Sequence, residues 1–248
     1  ESVICAADSP ELTFRHQISP EYKSNRAAKE QDYVTAKQAT YEVVGATGIP
    51  VVTVDGYEAD DIIATIVEHR GEFSAVVVSN DKDCNQLLEN GVMRFSNNEF
   101  LKQSDIVAKW GVRPEQFVDY QMLLGDSTDC VVGLRGCGEV GAKDLLAMYG
   151  SASEIADATD LPKKYLNNIK PTKKDPNPPK TSPIEDFRDR LDSIRKLITL
   201  DRSVPLDVPA IIESGKPGRG NKDEFYNVCN QYGIGALMTD RFDFLFAK

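Results

Sequence analysis

The sequence predicts an α/β fold: a mostly parallel central sheet flanked by helices, followed by a helical C-terminal lobe. Two observations predict it. Short, continuous apolar runs alternate with helical patterns in the N-terminal part, and runs of that kind fit strands buried on both faces of a parallel sheet. After about residue 104 the strand signals give way to helical ones. The expected division is an α/β core over residues 1–112 and a helical lobe, packed on it, over 113–248.

Val3-Ile4-Cys5-Ala6-Ala7 reads as the first buried strand, with Asp8 at its C-terminal end. A basic stretch follows, with Arg15, His16, Lys23 and Arg26, and residues 31–46 read as a helix. Pro50–Val54 is a second strand, closed by Asp55-Gly56. Ala59, Ile62, Ile63, Ile66 and Val67 then recur at the spacing of one helical face. Ala75–Val78 is a third strand; a short helix and the strand Val92–Phe95 come next. Ser104 suits the cap of a short helix and Pro114 the first turn of the next. Further helices are predicted near 114–124, 139–149, 151–158 and 185–199. Residues 171–183, rich in Pro, Lys and Asn, read as an exposed loop.

Composition narrows the function classes. At 41% hydrophobic and 27% charged residues the chain is ordinary for a globular protein. No apolar run approaches the ~20 residues of a membrane helix, and no secretory signal opens the chain. Five cysteines with no Cys-x-x-Cys spacing, and only two histidines, argue against zinc and a disulfide framework. Reduced thiols fit a cytoplasmic protein. A net charge of −10 counts against a nucleic-acid partner unless many acids gather around bound cations.

The acids do fall in groups. Asp8 ends the first strand; Glu58, Asp60 and Asp61 open the clearest helix; Asp81 and Asp83 follow the Ala75–Val78 strand; Asp126 and Asp129 lie in Leu124-Gly125-Asp126-Ser127-Thr128-Asp129. Ligands of an open parallel sheet bind beyond the C-terminal ends of its strands, so these carboxylates are expected to converge on one edge. Two carboxylates ~5 Å apart repel by about 3 kcal/mol at an effective dielectric near 20. A cluster of them implies divalent metal or raised pKa values, and all-oxygen ligands select Mg²⁺ or Mn²⁺. Each group alone has a plainer account. Acids in a helix's first turn suit its dipole, Asp81 and Asp83 suit a turn, and Asp126 to Asp129 suit a helix exit.

Gly136-Cys137-Gly138-Glu139-Val140-Gly141 fits G-x-G-x-x-G, but a dinucleotide fingerprint needs a preceding strand and a βαβ unit. Here helix and acidic loop precede it. A helix–hairpin–helix-like turn fits better. Its glycines let the backbone approach a DNA phosphate, the next helix's amides bind it, and Lys143 adds charge. The alternative is a plain glycine-rich helix connection.

Taken together, Thr13-Phe14-Arg15-His16, Pro20-Glu21-Tyr22-Lys23-Ser24-Asn25-Arg26, Gly56-Tyr57-Glu58-Ala59-Asp60-Asp61, Asp81-Lys82-Asp83 and the stretch from Gly125-Asp126-Ser127-Thr128-Asp129 to Gly141-Ala142-Lys143 resemble the 5′-nuclease family. That family includes flap endonucleases and the 5′→3′ exonuclease domain of bacterial DNA polymerase I. The resemblance runs in order over residues 3–150 and is nearest to the polymerase-linked branch. It implies two-metal hydrolysis of DNA with 5′ ends or flaps, a linked or separate DNA polymerase as partner, and Asp8, Glu58, Asp60, Asp61, Asp81, Asp83, Asp126 and Asp129 as ligands of two or more Mg²⁺ or Mn²⁺ ions. It also implies that Lys23, Arg26 and Arg15 act at the phosphate. Gly133, Gly136, Gly138, Gly141 and Lys143 would form the duplex-binding turn, which in some relatives holds K⁺.

Three departures from the family pattern stand out. The family has an earlier strand carrying a further metal-binding Asp, so the chain is expected to be a fragment. Cys130 takes the place of an Asn usual after the second Asp. The segment from Arg26 to the next helix is short, which implies an open gateway for the 5′ strand. A non-catalytic DNA-binding module and a Mg²⁺-dependent phosphohydrolase of small molecules are the alternative readings.

Overall fold

The computed structural model describes residues 1–28, 30–168, 170–171, 178–239, 243 and 246. In chain order its elements are β1 (Cys5–Ala6), α1 (Phe14–Ile18), α2 (Gln31–Ala46), β2 (Val51–Val52), α3 (Ala59–Glu68), β3 (Ala75–Val78), β4 (Val92–Ser96), β5 (Glu99–Leu101), α4 (Gln103–Trp110), α5 (Phe117–Leu124), β6 (Gly125–Asp126), β7 (Val131–Val132), α6 (Glu139–Tyr149), α7 (Ala152–Asp157), α8 (Lys163–Leu166), α9 (Pro183–Ile198), α10 (Val208–Ser214) and α11 (Lys222–Gln231). They form two compact units, neither a single stretch of chain. The first comprises Glu1–Thr13, Ala27–Phe73 and Asp201–Lys248, the second Phe14–Arg26 and Ser74–Leu200.

In the first unit β1 and β2 pair in parallel, Cys5 opposite Val51 and Ala6 opposite Val52. The apolar stripe read from the sequence puts Ile62 and Val67 of α3 inside, with Ala64 beside them. Thr65 ties α3 to the returning chain: its hydroxyl donates to the Asp201 carbonyl and accepts from the Val204 amide. Ala46, at the end of α2, packs with Phe225 and Cys229 of α11.

In the second unit β3 and β4 pair in parallel from Ala75↔Val92 to Val78↔Phe95. β5 returns antiparallel to β4 through Asn97 and Asn98, both left-handed at φ 49° and 62°. Two such residues make the tight hairpin whose twist suits its strands. The sequence reading did not find β5. The loop 171–183 lies partly outside the described residues, since 172–177 do. The core gathers Phe117, Met122 and Leu123 of α5, Leu146 of α6, Ile155 of α7, Tyr165 of α8, and Phe187 and Ile194 of α9. α9 starts with reciprocal capping: Ser182 accepts from the Glu185 amide, and Glu185 accepts from the Ser182 amide, with Pro183 at the first position.

Two local expectations are corrected. Ser104 does not cap α4. Lys102 stands at the cap position, and the Asp105 carboxylate accepts from its amide at 2.7 Å, taking the capping role from within the helix. Arg15 was expected at a phosphate, yet it is only 1% exposed. Its guanidinium donates to the carbonyls of Leu197 (3.0 Å) and Thr199 (3.1 Å) at the end of α9, where a cation satisfies orphan carbonyls and complements the helix dipole. A group held in that way anchors α1 to α9 and is not presented to a phosphate. Replacing Arg15 by Met strands both carbonyls and should cost about 3 kcal/mol in urea unfolding; an unchanged midpoint would contradict the anchoring role.

Candidate metal and phosphate site

Three segments of the second unit line an open cleft of about 320 Å³, formed by Arg26, Asn80, Asp81, Lys82, Asp83, Asp126, Thr128 and Asp129. The first segment leaves β3. Arg94 of β4, 5% exposed, donates to the Ser79 carbonyl at 3.1 Å and to the Asn85 side chain. The Asn80 side chain accepts from the Ser96 hydroxyl (3.1 Å) and the Asn97 amide (3.3 Å). The turn carrying Asp81 and Asp83 is thus pinned to the neighbouring hairpin. Asp81 caps the following 3-10 turn through the Asp83 amide at 2.9 Å, and Gln121 of α5 donates to Asp83.

The second segment closes on itself: Asp126 accepts from the amides of Thr128 (2.8 Å) and Asp129 (3.3 Å). The third, Tyr22 to Arg26, docks on it. The Lys23 amide donates to the Asp129 carbonyl at 3.1 Å. The Asp129 carboxylate accepts from Tyr22 (3.2 Å) and pairs with Arg26 at 2.5 Å and Lys23 at 3.9 Å. The basic pair named from the family resemblance therefore sits on one of the acids named with it.

Lys82 lies among the remaining acids, its ammonium 2.5 Å from Asp126 and 3.6 Å from Asp83. Burial pushes the Asp83 carboxyl up; Lys82 and the Gln121 contact oppose the rise, and the neighbouring Asp81 and Asp126 charges add to it. Burial also opposes ionisation of Asp126, but Lys82 and the two loop amides overcome it and hold that carboxyl below the usual range. Burial likewise works against the Lys82 charge, and its three acidic neighbours raise it nonetheless. Among the described residues no three His, Cys, Asp or Glu side chains stand close enough to share an ion as they are. The donor chemistry, carboxylate throughout, is that of Mg²⁺ or Mn²⁺, and an ammonium already takes a cation's place in it.

The other acids belong to the first unit. Asp8 accepts from the Ala59 amide at 2.9 Å and so joins the end of β1 to the start of α3. Glu58 and Asp60 are half-buried at that helix start. Asp61 differs from these in burial. It is fully buried, and its oxygens accept from the amides of Glu58 (3.1 Å) and Asp201 (2.8 Å), contacts that fit the capping account.

The glycine-rich turn divides in the same manner. A short strand, β7, does precede it, but β7 pairs antiparallel with β6, so no βαβ unit exists there. A Cβ on Gly133 would lie 2.4 Å from the Leu123 carbonyl, and one on Gly141 would lie 2.8 Å from the Tyr165 hydroxyl. Both glycines serve packing. Gly136, at φ 78°, and Gly138 have open space around them, which leaves their backbone accessible. Lys143 runs along Gly111 at the end of α4, its side-chain carbons 3.4–3.5 Å from where a Cβ would stand. Arg190 holds the turn from α9, donating to the Val132 carbonyl at 2.7 Å and pairing with Asp186.

The fold is that of solved 5′-nucleases. The T5 D15 protein co-crystallised with metal ions superposes with a TM-score of 0.62 at 23% identity, covering 94% of this chain and 85% of that one. The T5 flap endonuclease in a pseudo-enzyme–product complex with DNA and metal ions gives 0.62 at 22%, covering 94% and 84%. Among curated proteins, the 5′-3′ exonuclease of Mycoplasmopsis pulmonis is 30% identical over 210 residues, 83% of this chain and 67% of that protein. DNA polymerase I of Mycobacterium tuberculosis is 36% identical over 167 residues, 64% of this chain and 18% of that protein. The model of the 5′-3′ exonuclease N-terminal resolvase-like domain matches residues 1–111, and that of the 5′-3′ exonuclease C-terminal SAM fold matches residues 112–214. The chain belongs to the 5′-3′ exonuclease family.

Sequence reasoning gave no role to Lys82, Asn80, Thr128, Tyr22 or Gln121. Lys82 carried a signal, its place between two acids; Gln121 carried none. Cys130, where the family favours Asn, adopts φ 60°. Asn tolerates that left-handed conformation better than most residues. Cys130→Asn should raise stability by up to about 1 kcal/mol in chemical denaturation; a loss would show that the strain lies elsewhere.

Proposed function

We propose that this chain is a metal-dependent 5′-nuclease that hydrolyses DNA phosphodiesters at 5′ ends and 5′ flaps in replication and repair. The carrying observation is the cleft in which Asp81, Asp83, Asp126 and Asp129 meet Arg26. Those four acids would hold Mg²⁺ or Mn²⁺, with Asp8, Glu58 and Asp60 as further ligands assigned from the family resemblance. Bound ions supply Lewis-acid polarisation of the phosphate and a water of lowered pKa. Lys23 and Arg26 offset charge that builds on the phosphate as its bond to the leaving oxygen breaks, and the product carries a 5′-phosphate. The open backbone at Gly136 and Gly138 would hold a duplex phosphate without reading sequence, and K⁺ at that turn is assigned from the resemblance alone. The T5 relative bound to DNA and metal ions supports both partners.

The polymerase relatives support a covalently linked or separate DNA polymerase as partner, and the thiols, all unpaired with one another, support the cytoplasm. No helix among the described residues is long and apolar enough to cross a membrane. Eight of the 39 acids were assigned to cations; even without Asp61, those left offset much of the −10 balance that opposes DNA. On a 5′-flap duplex, Asp126→Asn should abolish Mg²⁺-dependent cleavage while leaving duplex binding in EDTA within about twofold, since positioning contacts are separate from the acids. Cleavage that persists in the variant, or in EDTA, would reject the metal-dependent reading.

A further inference from the structure

We propose that Lys82 is a tethered counter-ion: its ammonium holds Asp83 and Asp126 together before a divalent ion arrives, and the ion binds by displacing it. The inference rests on the metal-dependent reading above and concerns how that same cleft is regulated. Asp83 and Asp126 come from different segments, one following β3 and the other following α5, and Lys82 is the group that bridges them, at 3.6 Å and 2.5 Å. The lysine cannot diffuse away, because its backbone lies in the 3-10 turn between Asp81 and Asp83. It can swing out, because its side chain is 55% exposed.

Two charge terms then oppose each other. Without a cation the carboxylates repel. With Lys82 in place they are partly neutralised, but the position an ion needs is taken. A dication gains about twice the attraction of an ammonium at equal distance, so exchange favours the ion once its concentration covers the cost of dehydrating it. The lysine sets that concentration. Arg26 on Asp129 is a weaker case of the same arrangement, since it comes from a separate segment and its docking there is shared with Tyr22 and the Lys23 amide.

The test is Mn²⁺ binding by isothermal titration calorimetry, with melting temperatures in EDTA, on wild type, Lys82→Met, Lys82→Arg and Asp126→Asn. Lys82→Gln stands in for the Met variant should that not fold. The Met or Gln variant should bind Mn²⁺ about tenfold tighter and melt lower in EDTA. The Arg variant should stay near wild type in both. Equal or weaker Mn²⁺ affinity in the Met or Gln variant, with Asp126→Asn still abolishing binding, would overturn the counter-ion and leave the metal site standing. Failure of wild type to bind Mn²⁺ any better than Asp126→Asn would overturn both.

Discussion

Carboxylates brought together in one cleft repel one another, and the second unit is arranged around that constraint. Asp81, Asp83, Asp126 and Asp129 reach the cleft from two segments. Three of them pair with basic side chains of the protein itself: Lys82 with Asp126 and Asp83, Arg26 and Lys23 with Asp129. Loop amides and the Tyr22 and Gln121 side chains take up further acceptor capacity. The opposite directions of the Asp83 and Asp126 shifts follow from this division. Asp126 faces the ammonium and two amides directly, whereas for Asp83 burial is the largest influence and two like charges add to it.

The scaffold keeps those acids in place by satisfying the backbone around them with polar side chains. Arg94 fixes the turn after β3 from beneath, Arg190 and Asp186 fix the β7 end of the glycine-rich turn, and Arg15 closes α9. Guanidinium groups bonded to carbonyls recur at all three positions, buried at Arg94 and Arg15 and partly exposed at Arg190. A guanidinium suits such sites because its donors are fixed in one plane and its charge is permanent. These arginines add no cation to the cleft itself, which leaves its charge balance to Lys82, Lys23 and Arg26.

Much of this was legible in the sequence. The spacing of Ile62, Ile63, Ile66 and Val67 gave α3, and the run Ala75–Val78 gave the bounds of β3 but not its burial, since Val76 and Val78 are exposed. The order of the acidic groups, with their positions after apolar runs, led to the cleft residues. What escaped depends on partners distant in the chain or on local geometry that residue type does not encode. The fate of Asp61 depends on the amide of Asp201, 140 positions away. The burial of Arg15 depends on where α9 ends. At Gly133 the backbone at Leu123 leaves no room for a Cβ, a crowding that only the fold creates. Lys82 was visible as a residue but not as a counter-ion, since only folding brings Asp126 to it.

The 5′-3′ exonuclease membership and the cleft chemistry converge on one central claim, that the carboxylates of the second unit are the seat of divalent-ion binding. Anomalous diffraction at the manganese edge, from crystals equilibrated with Mn²⁺, tests it most directly. The account predicts a peak within about 2.5 Å of carboxylate oxygens from Asp126 and at least one of Asp81, Asp83 and Asp129, with the Lys82 ammonium moved away. A cleft without a peak, or with Lys82 still seated on Asp126 beside one, would contradict it.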